Sequence, residues 1–150
     1  MAVDSRAPGI VSQLAYEDIG AALEWLGKAF GFRELEDQRL VGEDGEVGHA
    51  EMEVGPGVHF MLGRSGGHGS TSPKTLGGRT QHLCVYVDDI EGHLARARAA
   101  GATVLEELED QPWGDRRYEA EDLEGHCWMF CQHVRDVEPG EWQKALQEQD

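Results

Sequence analysis

Apolar residues recur at helical spacing at Ile19, Ala22, Leu23, Leu26 and Phe30, which predicts an amphipathic helix over 19–30 with one face toward a core. Asp18 is placed to cap its start and Gly31 to end it. Ahead of the helix, 10–16 mixes apolar and small residues at strand length. Behind it, 33–41 and 46–54 flank the turn Gly42-Glu43-Asp44-Gly45, and 58–62 follows Gly55-Pro56-Gly57. The order is β-α-β-β-β. It then repeats: a strand at 82–87, Asp89 as cap, a helix over 90–100, Gly101 as stop, and strands near 103–108, 116–121 and 127–133. The chain therefore divides into a flexible N-terminus (1–9), a first βαβββ module (10–62), a Gly/Ser-rich linker (63–80), a second module (81–133) and a tail (134–150). In that tail Pro139 starts a short helix that Trp142 and Leu146 dock.

The repetition extends to individual residues. Leu14-Ala15-Tyr16-Glu17-Asp18-Ile19 returns as Val85-Tyr86-Val87-Asp88-Asp89-Ile90, and Glu51-Met52-Glu53 with Gly57 and Phe60-Met61 returns as Glu119-Ala120-Glu121 with Gly125 and Trp128-Met129. Neither copy can bury its apolar face alone, so the two must pack together, and a cleft between them is the expected seat of function.

Composition narrows the partners. The chain carries 13 Lys+Arg against 29 Asp+Glu, a formal net charge of -16. Such a surface repels nucleic-acid phosphates and favours solubility or a cationic ligand. No apolar run approaches the ~18 residues of a membrane span, so no membrane association is expected. The three cysteines form no CxxC pair, and the N-terminus lacks an apolar secretion segment. A cytoplasmic location is the expectation.

The passage Trp113-Gly114-Asp115-Arg116-Arg117-Tyr118, followed by Asp122-Leu123-Glu124-Gly125-His126-Cys127-Trp128-Met129-Phe130, resembles the end of the second unit in the vicinal oxygen chelate superfamily, although Leu123 stands where proline is usual. That superfamily includes glyoxalase I, extradiol dioxygenases, fosfomycin-resistance enzymes and bleomycin-binding proteins. The tail at 134–142 is similar to that of a bacterial glyoxalase- or bleomycin-resistance-like branch. The resemblance implies an α+β fold in which two tandem βαβββ modules form a concave mixed-sheet cleft, commonly in a homodimer. It implies no single activity, because one fold hosts many.

In the superfamily's metal enzymes, ligands stand seven residues before each helix cap and four after each turn glycine. Here those points hold Val11, His82, Met61 and Met129, and only His82 suits a divalent ion. No cofactor is expected. The alternative is a divalent metal held by His82 with His59 or Gln13, which would support a lyase, isomerase or dioxygenase. If those same positions mark the concave face, the cleft is lined by Val11, Gln13, Ala15, His59 and Met61 from the first module. The second adds His82, Cys84, Tyr86, Cys127, Met129 and Cys131.

The expected function is binding of a small hydrophobic or cationic organic molecule, with antibiotic resistance as its context and no catalytic residue assigned. The candidate contacts are His59, Met61, His82, Cys84, Tyr86, Trp113, Arg116 and Met129. Each has a plainer reading. Both methionines could fill core gaps, His82 could bond the backbone, and the cysteines could be inert apolar residues. Trp113 could cover the pocket or make a dimer contact, and Arg116 and Arg117 could pair with Asp115 or Glu119.

Overall fold

The computed structural model describes residues 9–149. Of the flexible N-terminus expected at 1–9, residues 1–8 lie outside the described residues. The first module runs β1 (Gln13–Tyr16), α1 (Ile19–Phe30), β2 (Arg33–Glu34), β3 (Leu40–Val41), β4 (Val47–Gly55) and β5 (Val58–Arg64). After the linker, which contains α2 (Pro73–Leu76), the second module runs β6 (His82–Tyr86), α3 (Ile90–Ala99), β7 (Thr103–Asp110), β8 (Asp115–Glu121) and β9 (Cys127–His133). Helix α4 (Pro139–Gln147) follows. The sheets share one plan. One is ordered β1-β5-β4-β2, with β3 also on β4, and the other β6-β9-β8-β7. In each, the opening strand runs parallel to the last and the remaining pairs are antiparallel. The helix caps repeat too, with Asp18 accepting from the Ala21 amide and Asp89 from the Gly92 amide.

Three local differences from the expected elements have physical causes. The expected strand 33–41 is broken by a 3₁₀ turn at Glu36–Gln38: the Leu35 amide still bonds the Glu51 carbonyl of β4, but the Gln38 and Arg39 amides turn back onto the Leu35 and Glu36 carbonyls. The first strand is shorter than 10–16, and Ile10 ahead of it is fully exposed. The linker is not uniformly loose. Ser72 is fully buried and caps α2, Pro73 takes its first turn, and Gly77 ends it in the left-handed region.

One core serves both modules. Leu14, Tyr16, Met52, Phe60 and Leu62 from the first sheet join Tyr118, Ala120, Trp128 and Phe130 from the second, with Leu26 and Phe30 of α1 and Ile90 of α3. The Phe60 and Trp128 rings lie 5.1 Å apart across the two sheets, and Phe30 stands 4.7 Å from Phe130. His93 of α3 bridges the modules, with Nε2 3.1 Å from the Phe30 carbonyl and Nδ1 2.6 Å from the Tyr118 hydroxyl. A carbonyl only accepts, so Nε2 carries the proton and Tyr118 donates to Nδ1.

Burial lowers the His93 pKa below its ordinary 6.5. The unfolded chain therefore binds this proton more readily, and stability from the neutral ring is complete above 6.5 and lost as pH falls below it. The melting temperature of the wild type should fall more steeply between pH 7 and 5 than that of His93→Gln. Parallel melting curves for the two would refute this account. Among the described residues no helix is long and apolar enough to cross a membrane.

Candidate functional site

Strand alternation decides what each sheet offers a ligand. Because Phe60 and Leu62 point into the shared core, His59 and Met61 point out of it, joined by register to Gln13 on β1 and to Glu51 and Glu53 on β4. In the second sheet Trp128 and Phe130 point inward. His82, Cys84 and Tyr86 of β6 therefore share the outer face with Cys127, Met129 and Cys131 of β9 and with Asp115, Arg117 and Glu119 of β8. Since both inner faces meet one core, the two outer faces look away from each other. A single chain does not bring the two sets of candidate residues into one cleft.

The first face centres on Glu51, only 3% exposed, with His59 Nε2 at 3.3 Å and His49 Nε2 at 3.6 Å from its carboxylate. The second face is more open. Tyr86 is 61% exposed and donates to Asp115 at 2.6 Å. His133 sits between two carboxylates, Asp115 at 3.0 Å and Asp136 at 2.7 Å. Both raise its pKa, Asp136 more than Asp115. Burial pushes the Asp115 carboxyl upward, yet the bonds from Tyr86 and His133 outweigh it and hold Asp115 below the ordinary carboxylate range. The same bond to Asp115, with burial added, raises the Tyr86 phenol well above its usual value.

Trp113 precedes Gly114, whose φ of 103° and close approach to the Arg135 carbonyl leave no room for a Cβ. The Arg117 guanidinium carbon stands 5.2 Å over the indole, and Trp142 of α4 packs edge-on at 6.4 Å. This contact docks the terminal helix against the turn. Arg117 also donates to the Met129 sulfur at 3.5 Å, while its buried Nε has no hydrogen-bond partner among the described residues. Beside it a groove of about 540 Å³ is lined by Glu106, Glu107, Leu108, Glu109 and Gln111.

Arg116 lies away from the other candidates. Its guanidinium is held by Asp110 at 2.6 Å and Glu91 at 2.7 Å, and its register partner is Gln132, whose side chain caps α3. It therefore points to the helix side. Arg117, one residue on, takes the outer face, and register with Cys131 is what decides between them. The local partners suggested for these arginines, Asp115 and Glu119, are replaced by Asp110, Glu91 and Glu106.

The residues present do not fit the superfamily's metal. His82 lies on the outer face of the second sheet and His59 and Gln13 on that of the first, so the diverging faces keep them apart, and Met61 and Met129 occupy two of the four expected points. Among the described residues no group of three or more His, Cys, Asp or Glu side chains could hold an ion. A pocket of about 280 Å³ opens at the seam between β1 and the linker. It is lined by Gln13, Ala15, Leu76, Arg79, Gln81 and His126 among others, so of the residues expected to line the cleft Gln13 and Ala15 reach it.

The sequence pattern gave no warning of a buried polar network at that seam. Asp122, 6% exposed, accepts from the Tyr16 hydroxyl at 2.7 Å, Trp128 Nε1 at 3.1 Å, and the amides of Glu124 and His126 at 3.0 Å. Glu124 accepts from the Glu17 amide at 2.7 Å, the Asp18 amide at 3.1 Å and the Ser72 hydroxyl at 2.6 Å. His126 Nε2 reaches the Ala15 carbonyl at 2.7 Å. The β8–β9 turn of the second module thus fastens the β1–α1 turn of the first.

Comparison with known proteins agrees with this architecture. The protein Rv0887c of Mycobacterium tuberculosis, itself uncharacterised, is 36% identical over 146 residues, covering 95% of this chain and 84% of its own length. The crystal structure of TioX from Micromonospora sp. ML1 matches with a TM-score of 0.68 and 38% identity, over 85% of this chain and all of that one. TnmS3 from Streptomyces sp. CB03234, described as an antibiotic binding protein, shares the fold at a TM-score of 0.65 and 19% identity, over 85% of this chain and 98% of its own. The model of one family matches residues 10–130, nearly all of both repeats. The chain belongs to the Glyoxalase/Bleomycin resistance protein/Dioxygenase superfamily.

Proposed function

We propose that this protein binds a small aromatic or cationic organic molecule, without a metal, in clefts that two copies of the chain build together. The observation that carries the reading is the back-to-back arrangement of the sheets. The His59–Met61 face and the His82–Met129 face diverge within one chain, so only a second copy can set one opposite the other. A two-fold pair would do this twice, because an isologous contact presents the same two faces from each partner. The chemistry of the faces supports the ligand class. Tyr86 and the partly buried Trp113 supply aromatic surface, and the methionines supply adaptable apolar contact. Glu51 and the glutamate-lined groove beside Arg117 supply negative charge, which speeds the approach of a cation. The fold shared with an antibiotic binding protein points the same way.

The test joins light scattering with a thermal-shift screen. The protein should elute as a dimer, and cationic aromatic antibiotics should raise its melting temperature by an amount that grows with concentration. A monomer that shows no shift with any compound would overturn the reading. So would one equivalent of bound metal per chain that disappears in His82→Ala.

A further inference from the structure

The outer face of the second sheet holds two thiols in contact. Cys84 Sγ and Cys131 Sγ lie 3.5 Å apart across the parallel pair β6 and β9. Their register decides what the contact is suited to. Cys84 pairs with Met129, while Cys131 pairs with Tyr86, so the cysteines are diagonal neighbours. Diagonal positions on adjacent strands lie roughly 7–8 Å apart at the backbone, beyond the ~4.4–6.8 Å that a relaxed disulfide spans. Two sulfurs bound to one ion meet no such limit. Metal–thiolate bonds of ~2.3 Å, opening at roughly 100–120°, place the sulfurs about 3.5–4.0 Å apart. The pair already has that spacing.

A third sulfur stands on the same face. Met129 is the register partner of Cys84 and lies two residues before Cys131 on β9. Thiolate and thioether donors together favour a soft ion over the hard and borderline ions of oxygen and nitrogen sites. Access is open, since Cys84 is exposed while Cys131 is buried. We propose that Cys84, Cys131 and Met129 form a binding site for a soft monovalent cation of the copper(I) class.

Binding converts two thiols and one cation into a dithiolate complex and releases two protons, with no change of oxidation state. Met129 exchanges its contact with the Arg117 guanidinium for the ion. Burial first, then the neighbouring Cys84, pushes the Cys131 thiol up to about 12, so the ion must displace a proton rather than meet a ready thiolate. The charged groups nearest the cluster are Arg117, Asp115 and Glu119. The site draws on one face of one chain, and Met129 is also a wall of the proposed cleft, so the ion is tested with no organic ligand present.

The experiment is an anaerobic competition between the reduced full-length protein and the coloured copper(I)–bicinchoninate complex. The wild type should withdraw one equivalent of copper. Cys84→Ser, a conservative change at an exposed position, should weaken the withdrawal at least ~100-fold, since one of two thiolates is lost. Met129→Leu should weaken it about tenfold, and Cys127→Ser should leave it unchanged. No withdrawal by the wild type, or equal withdrawal by Cys84→Ser, overturns the proposal. Both arms read copper alone, so neither result bears on antibiotic binding.

Discussion

Asp122→Ala is expected to destabilise the protein by about 3–5 kcal/mol, because each buried donor left without an acceptor costs ~1–3 kcal/mol. The Asp122 carboxylate gathers four donors: the Tyr16 hydroxyl, the Trp128 indole and two amides of its own turn. Tyr16 and Trp128 are almost completely buried, so water cannot replace the lost acceptor without opening the core. In a chain of this size the loss corresponds to a fall in melting temperature on the order of 10 °C. Tyr16→Phe removes one donor and leaves the carboxylate satisfied by the rest, so it should cost only about 1 kcal/mol. The two variants together separate the network from general damage at the turn. If Asp122→Ala melted with the wild type, the seam would be held by packing alone and the network would be incidental.

The largest effect on binding is expected at Trp113. For a compound found in the thermal-shift screen, Trp113→Ala should raise the Kd about 30-fold, the equivalent of ~2 kcal/mol and typical of a buried aromatic anchor. The ring is held firmly before any ligand arrives. Gly114 fixes the turn, Arg117 covers the indole and Trp142 braces its edge. A ring fixed in advance loses little freedom on binding, so more of its contact energy appears as affinity. Trp113→Phe should retain most of the affinity. Trp142→Ala, which removes only the brace, should weaken binding severalfold by loosening the ring. Titration by calorimetry checks all three. An unchanged Kd in Trp113→Ala would remove this residue from the site and with it the main aromatic contact of the proposed cleft.

Much of the scaffold was legible because its signals are local. Asp18 and Asp89 mark helix starts by capping amides within three residues, and the apolar spacing of α1 matches the face it buries. The repeated segments matched in sequence and became two sheets of the same order. The shared outer face of His59 and Met61, and that of His82, Cys84, Tyr86 and Met129, followed from strand alternation once the family's ligand positions anchored it. Arg116 shows where that reasoning weakens. Strand alternation fixes which of two neighbours shares a face, but only pairing with β9 says which face that is, and this put Arg117 on the open side.

The amino-acid sequence by itself determined the βαβββ repeat, the boundaries of α1 and the acidic charge, since each depends on residue type and short-range spacing. Tertiary structure alone decided three further matters. It turned the two candidate faces apart by burying Phe60 and Trp128 in one core. It made Asp122 and Glu124 into a fastening between modules, although the first module carries Val54 and Pro56 at the matching points and can form no counterpart. It also brought Cys84 to Cys131 across 47 residues of chain. Contacts of this kind arise when distant strands settle into register. That register is chosen by the packing of the whole core, so no local pattern records it.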